Sequence, residues 1–82
     1  MSKIVLIGAG SVVFTQGLVM DLIHHTGDMQ WEVVLVDTHE ETLDIVRSVV
    51  EKMIAQKGAG RIVVSCTTNR RDALPDADYV VT

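Results

Sequence analysis

"KIVLIGAGSVVF", residues 3–14, decides how the rest of the chain is read. An unbroken apolar run, Ile4 to Ile7, leads straight into Gly8-Ala9-Gly10. A run this short, stopped by glycines, predicts a strand buried on both faces, Lys3 to Gly8. Ser11 to about His25 predicts a helix, because Phe14, Leu18 and Leu22 recur at helical spacing and Val19 and Ile23 widen that face. A glycine-rich loop between a strand and a helix is the setting in which a dinucleotide pyrophosphate is cradled.

The residues of the loop suit that task. Gly8 permits the tight turn, and Gly10 lets the backbone approach a phosphate with no side chain in the way. The start of the helix supplies unpaired N–H groups and a partial positive charge. Ser11 either donates its hydroxyl to a phosphate or caps the helix. Val13 stands where the three-glycine fingerprint has its last glycine. That glycine serves helix–strand packing, so Val13 is expected to push the helix slightly outward and leave the anion site intact.

Working outward, Gly27-Asp28 reads as a turn and Trp31 to Val36 as a second buried strand. Thr38 to Lys57 predicts a second helix. Leu43, Val46, Val50, Met53 and Ile54 form its apolar face, Thr38 and Glu41 have capping-box spacing, and Gly58 stops it. Arg61 to Thr67 is a third strand, followed by a helical turn around Arg71 to Leu74 that Pro75 breaks. Asp78 to Thr82 is a fourth strand. This alternation predicts an α/β fold, a Rossmann-like parallel sheet of strand order 3-2-1-4, of which only the first half is present (β-α-β-α-β-β). Residues 1–82 then form the first half of a nucleotide-binding domain. Both long helices fall on one face, so the other face is expected to lie open and to favour self-association.

Composition excludes several classes. The chain has 82 residues, 48% of them hydrophobic, which suits one small globular domain. Net charge is −4 with the basic residues dispersed, which argues against nucleic acid. No apolar run approaches the ~18 residues of a membrane span. A single cysteine, Cys66, excludes an intrachain disulfide and fits a reducing cytoplasm.

Asp37 ends the second strand. A carboxylate there accepts hydrogen bonds from the adenosine ribose and repels a 2′-phosphate, favouring NAD over NADP. The alternative is a carboxylate that only complements a helix N-terminus. His24 and His25 lie at a helix end without a third metal ligand at suggestive spacing, and His39 reads as solvated. Cys66 reads as a small core residue. Arg70 and Arg71 read as a solvated pair near the carboxyl edge of the sheet, one of which could reach cofactor or substrate.

Three segments together resemble the N-terminus of the NAD-dependent family 4 glycoside hydrolases. They are "KIVLIGAGSVVFTQGLVMDLI", "VVLVDTHEETLDIV" and "TTNRRDALPDADYVVT". That family carries G-A-G-S-x-x-F, here Gly8, Ala9, Gly10, Ser11 and Phe14, and an Asp matching Asp37. Its third segment matches Thr67, Asn69, Arg70, Ala73, Leu74, Ala77, Asp78, Tyr79 and Val80. The family includes α-galactosidases, α-galacturonidases, α-glucosidases and 6-phospho-glucosidases, and "TTNRRDAL" looks most like the first two.

The resemblance implies a glycosidase that works by redox elimination, outside the usual two-carboxylate scheme. NAD⁺ takes hydride from C3 of the sugar, and a divalent metal, typically manganese, polarises the resulting ketone. A base removes the C2 proton, the glycosidic bond is eliminated, water adds back, and hydride returns. It implies Gly8, Ala9, Gly10, Ser11, Val12, Val13, Asp37 and Thr82 as cofactor-binding residues, Thr82 on the nicotinamide side. Metal ligands and the base are expected outside this chain, which alone should be inactive. The full enzyme is expected to be a cytoplasmic homo-oligomer acting on a sugar or glycoside, without nucleic-acid or membrane partners. Two other readings stay open: a lactate- or malate-type NAD-dependent dehydrogenase, and a non-catalytic nucleotide-binding module.

Overall fold

A computed structural model describes all 82 residues, Met1–Thr82. The elements are β1 (Ser2–Ile7), α1 (Val12–His25), β2 (Trp31–Val36), α2 (Glu40–Gln56), β3 (Ile62–Thr67), α3 (Arg70–Ala73) and β4 (Tyr79–Val81). The four strands make one parallel sheet in the order β3-β2-β1-β4, the order expected of a Rossmann-like half. Ile4, Val33 and Val64 lie side by side across β1, β2 and β3, as do Leu6, Leu35 and Cys66. These residues point to the face covered by the long helices, where they meet Val19, Leu22, Leu43, Val46, Val50 and Ile54. Full burial of one such side chain contributes about 1.5–3 kcal/mol. No helix is long and apolar enough to cross a membrane.

Three local expectations are corrected. The first concerns the face of α1. Its buried positions are Thr15, Val19 and Leu22, whereas Phe14 is 42% exposed and Val13 82% exposed. The Thr15 hydroxyl donates to the Ala9 carbonyl at 3.1 Å, which sets the rotation of the helix and turns Phe14 outward. Val13 therefore packs against no strand and does not displace the helix.

The second concerns the start of α2. The Thr38–Glu41 capping box does not form: His39 is the N-cap and makes no side-chain cap bond. The Thr38 hydroxyl lies 3.2 Å from His39 Nδ1 instead. Glu40 and Glu41 still place negative charge in the first turn, where the helix dipole favours it. At the other end Gly58 takes a left-handed φ of +63°, as a helix-stopping glycine should.

The third concerns the second face of the sheet, which is partly covered. The strand order obliges the β3–β4 connection to cross it. Ala73 of α3 and Ala77 pack there against Val5, Val34, Val36 and Ile7. What stays open lies at the flanks: Val63 on β3 is 49% exposed and Val80 on β4 is 47% exposed. The connection is tied down at its end, where Asp78 receives the Lys3 N–H on Oδ2 at 2.7 Å and donates its own N–H to the Lys3 carbonyl at 2.9 Å.

Candidate nucleotide site

The glycine loop is held by its neighbours on every side but one. Gly8 has φ +80°, a conformation that a side chain would strain. The N–H groups of Gly8 and Ala9 both donate to the Val36 carbonyl, at 2.9 and 3.0 Å. The next peptide, Ala9–Gly10, is fixed at both ends. Thr15 donates to its carbonyl at 3.1 Å, and its N–H donates to Asp37 Oδ2 at 2.9 Å. Thr15 is fully buried, so its hydroxyl has no competing water.

Beyond that peptide the donors are free. Ser11 is the N-cap of α1, its Oγ accepting the Phe14 N–H at 3.4 Å, so the capping alternative describes it. The N–H groups of Ser11, Val12 and Val13 have no acceptor within the chain. Three unpaired donors at the head of a helix of this length are a ready anion site.

Gly10 has a use that its sequence context does not reveal. A Cβ there would sit 2.7 Å from Asp37 Oδ2 and 3.2 Å from the Thr42 methyl. The missing side chain thus makes room for the carboxylate as well as for a phosphate. Asp37 Oδ1 accepts the His39 N–H at 3.1 Å and lies 3.4 Å from His39 Nδ1. The His39 backbone N–H holds the Asp37 carboxyl below its ordinary value, helped by the Gly10 N–H, the His39 ring and Thr38 and opposed by partial burial. Asp37 is therefore an anion at neutral pH with its oxygens already oriented.

A cleft of about 620 Å³ opens over the carboxyl ends of β1, β2 and β3. Ile7, Gly8, Val36, Asp37 and Thr38 line one side, and Thr68, Asn69 and Arg70 the other. This is the edge at which open parallel sheets bind ligands. Of the two adjacent arginines only Arg70 belongs to the cleft. Thr82 lies one residue past β4, on the opposite side of β1 and outside the cleft.

The remaining candidates stand apart. His24 and His25 are exposed at the end of α1. Cys66 is half-buried, its thiol pushed up by burial. No three of the His, Cys, Asp and Glu side chains converge as a metal site. Sequence reasoning missed Thr15, whose role depends on a contact from the turn of α1 back to the loop. Thr at that spacing after a glycine pair is a signal only once the helix rotation is known.

A model of the family 4 glycosyl hydrolases matches residues 3–82. The chain belongs to that family. An α-galactosidase of Rhizobium meliloti (strain 1021) is 35% identical over 80 residues, covering 96% of this chain and 16% of the relative. An α-glucosidase of Erwinia rhapontici is 32% identical over 80 residues, covering 98% of this chain and 17% of the relative. A 6-phospho-β-glucosidase of Thermotoga maritima, solved with manganese, NAD⁺ and glucose-6-phosphate, superposes with a TM-score of 0.80 at 32% identity. That match covers 95% of this chain and 18% of the other. The chain spans about a sixth of the length of these curated relatives.

Proposed function

We propose that this family 4 chain holds the adenosine and pyrophosphate of NAD for a glycosidase that works by redox elimination. The observation that carries the reading is the contact between Gly10 and Asp37, beside three unpaired helix N–H groups. Asp37 and Gly8 line the cleft, and the three N–H groups follow Gly10 in the chain, which supports a nucleotide lying along them. NAD fits those residues: a ribose needs an oriented acceptor, and a pyrophosphate needs convergent donors.

Bound NAD supplies a reversible hydride acceptor. The residues of this chain bind and orient it. Asp37 accepts from the ribose hydroxyls and disfavours a 2′-phosphate. Gly8, Ala9 and Gly10 give the backbone a close approach, while Ser11, Val12 and Val13 present their N–H groups to the pyrophosphate. Thr82, at the end of β4, stands on the nicotinamide side. Manganese and the base that abstracts the C2 proton are assigned to residues outside these 82. Its substrate is a glycoside, and the 82-residue chain alone is inactive. The half-buried, unpaired Cys66 supports a reducing cytoplasm. The open flanks of the sheet support self-association of the isolated chain, and the complete enzyme works as a homo-oligomer.

Titration with NAD tests the reading. Saturable binding is expected, with NADP weaker. Asp37→Ala should weaken NAD by about tenfold or more, the worth of a charge-assisted hydrogen bond. Unchanged affinity in Asp37→Ala would remove the ribose role.

A further inference from the structure

The proposed NAD site leaves one charged group of the cleft unused. Val36 pairs with Thr67 across β2 and β3, so Asp37 and Thr68 leave the sheet side by side. The turn that follows β3 is rigid. The Asn69 N–H donates to Thr67 Oγ1 at 3.1 Å, and the Arg71 N–H donates to Asn69 Oδ1 at 3.0 Å. Arg70 is therefore carried on a fixed backbone. Its side chain makes no hydrogen bond, and the ion pairs of the chain are His39–Asp37 and Arg47–Glu51. An exposed guanidinium without a partner thus lines the same cleft as Asp37. Asp37 and Arg70 form no ion pair: the carboxylate oxygens face the Gly10 N–H and His39 instead.

We infer that Arg70 is the second half of a cofactor-specificity pair, a latent partner for a 2′-phosphate that Asp37 keeps out. The inference rests on the proposed ribose role of Asp37. A ribose held at Asp37 places its 2′ oxygen inside a cleft that already contains an arginine. Arginine is the side chain best shaped to take a phosphate by two parallel N–H bonds. Preference for NAD then comes from the repulsion by one carboxylate and not from the lack of a cation. Removing that charge alone should admit NADP with no new residue introduced.

The test compares wild type, Asp37→Asn, Arg70→Gln and the double variant in the intact polypeptide that carries this chain. NAD and NADP are titrated separately, and folding is checked by circular dichroism. Asn keeps an acceptor for the Gly10 N–H, and Arg70 makes no side-chain bond that its loss would break. Asp37→Asn is expected to shift the NADP-to-NAD affinity ratio toward NADP by about tenfold or more. In the double variant most of that shift should disappear, and Arg70→Gln alone should weaken NADP more than NAD. A shift of equal size with and without Arg70 would overturn the assignment of Arg70 while leaving the NAD site standing. Absence of NAD binding by the folded wild type would overturn the site and the pair together.

Discussion

At the scale of single residues the site is organised around one peptide group. Its carbonyl is held by Thr15 and its N–H by Asp37, so the orientation of Gly10 does not depend on ligand. Thr15→Val keeps the shape but leaves a buried carbonyl without a donor, which costs about 1–3 kcal/mol. NAD affinity should fall with stability, and Thr15→Ser should restore both; thermal melts beside titrations would read this out. The charge on Asp37 carries a pH dependence whose sign is fixed by its lowered pKa. The stabilisation it gives is complete above its ordinary value of 3.8 and is lost as pH falls through the depressed folded value. Acid unfolding of Asp37→Asn should accordingly lack that part of the wild-type transition. Gly8 and Asp37 could be singled out because each directly follows a strand, and Gly10 because it sits in the loop before α1. Thr15 was not, because a lone threonine within a helix shows no preference until its partner carbonyl is known.

At the scale of elements, α1 depends on a residue far from it in the chain. Arg61, just before β3, donates to the Leu22 and Ile23 carbonyls at 3.1 and 2.8 Å and to Thr26 Oγ1 and the Met29 carbonyl at 2.9 and 2.8 Å. It satisfies carbonyls that the end of a helix leaves unpaired, and its charge complements the dipole there. Arg61→Ala should destabilise the chain by about 1.5–3 kcal/mol. Arg61→Lys should recover only part of it, since an ammonium cannot span four acceptors; urea unfolding would measure both. The alternation of strands and helices was legible from short β-branched runs between glycines. The face of α1 was legible apart from its first turn: Leu18, Val19, Leu22 and Ile23 meet the core, and Phe14 turns outward where Thr15 turns in. Apolar spacing favours Phe14 over Thr15 at that turn, and the bond from Thr15 to Ala9 reverses the choice. The start of α2 shows the same limit, since Asp37 and His39 engage each other and leave Thr38 outside the cap.

At the scale of the whole molecule, the crossing of the β3–β4 connection decides which surfaces stay exposed. Ala73 and Ala77 seal the middle of the second face, leaving Val63 and Val80 at opposite edges. The isolated chain should associate through these flanks, and Val63→Lys with Val80→Lys should shift it toward monomer in sedimentation. The coverage was hidden in the sequence because "TTNRRDALPDAD" looks like a polar loop, and only strand order shows what it must cross. Strand order also bears on how the chain is made. β1 leaves the ribosome first, yet it lies in the interior of the sheet between β2 and β4. Its pairing at Ile4 with Tyr79 cannot form until Tyr79 has emerged. At about 5–20 residues per second, the apolar edge of β1 waits seconds for its second neighbour. A nascent chain of this design therefore carries an apolar strand with one edge unpaired through most of the synthesis of its own sheet.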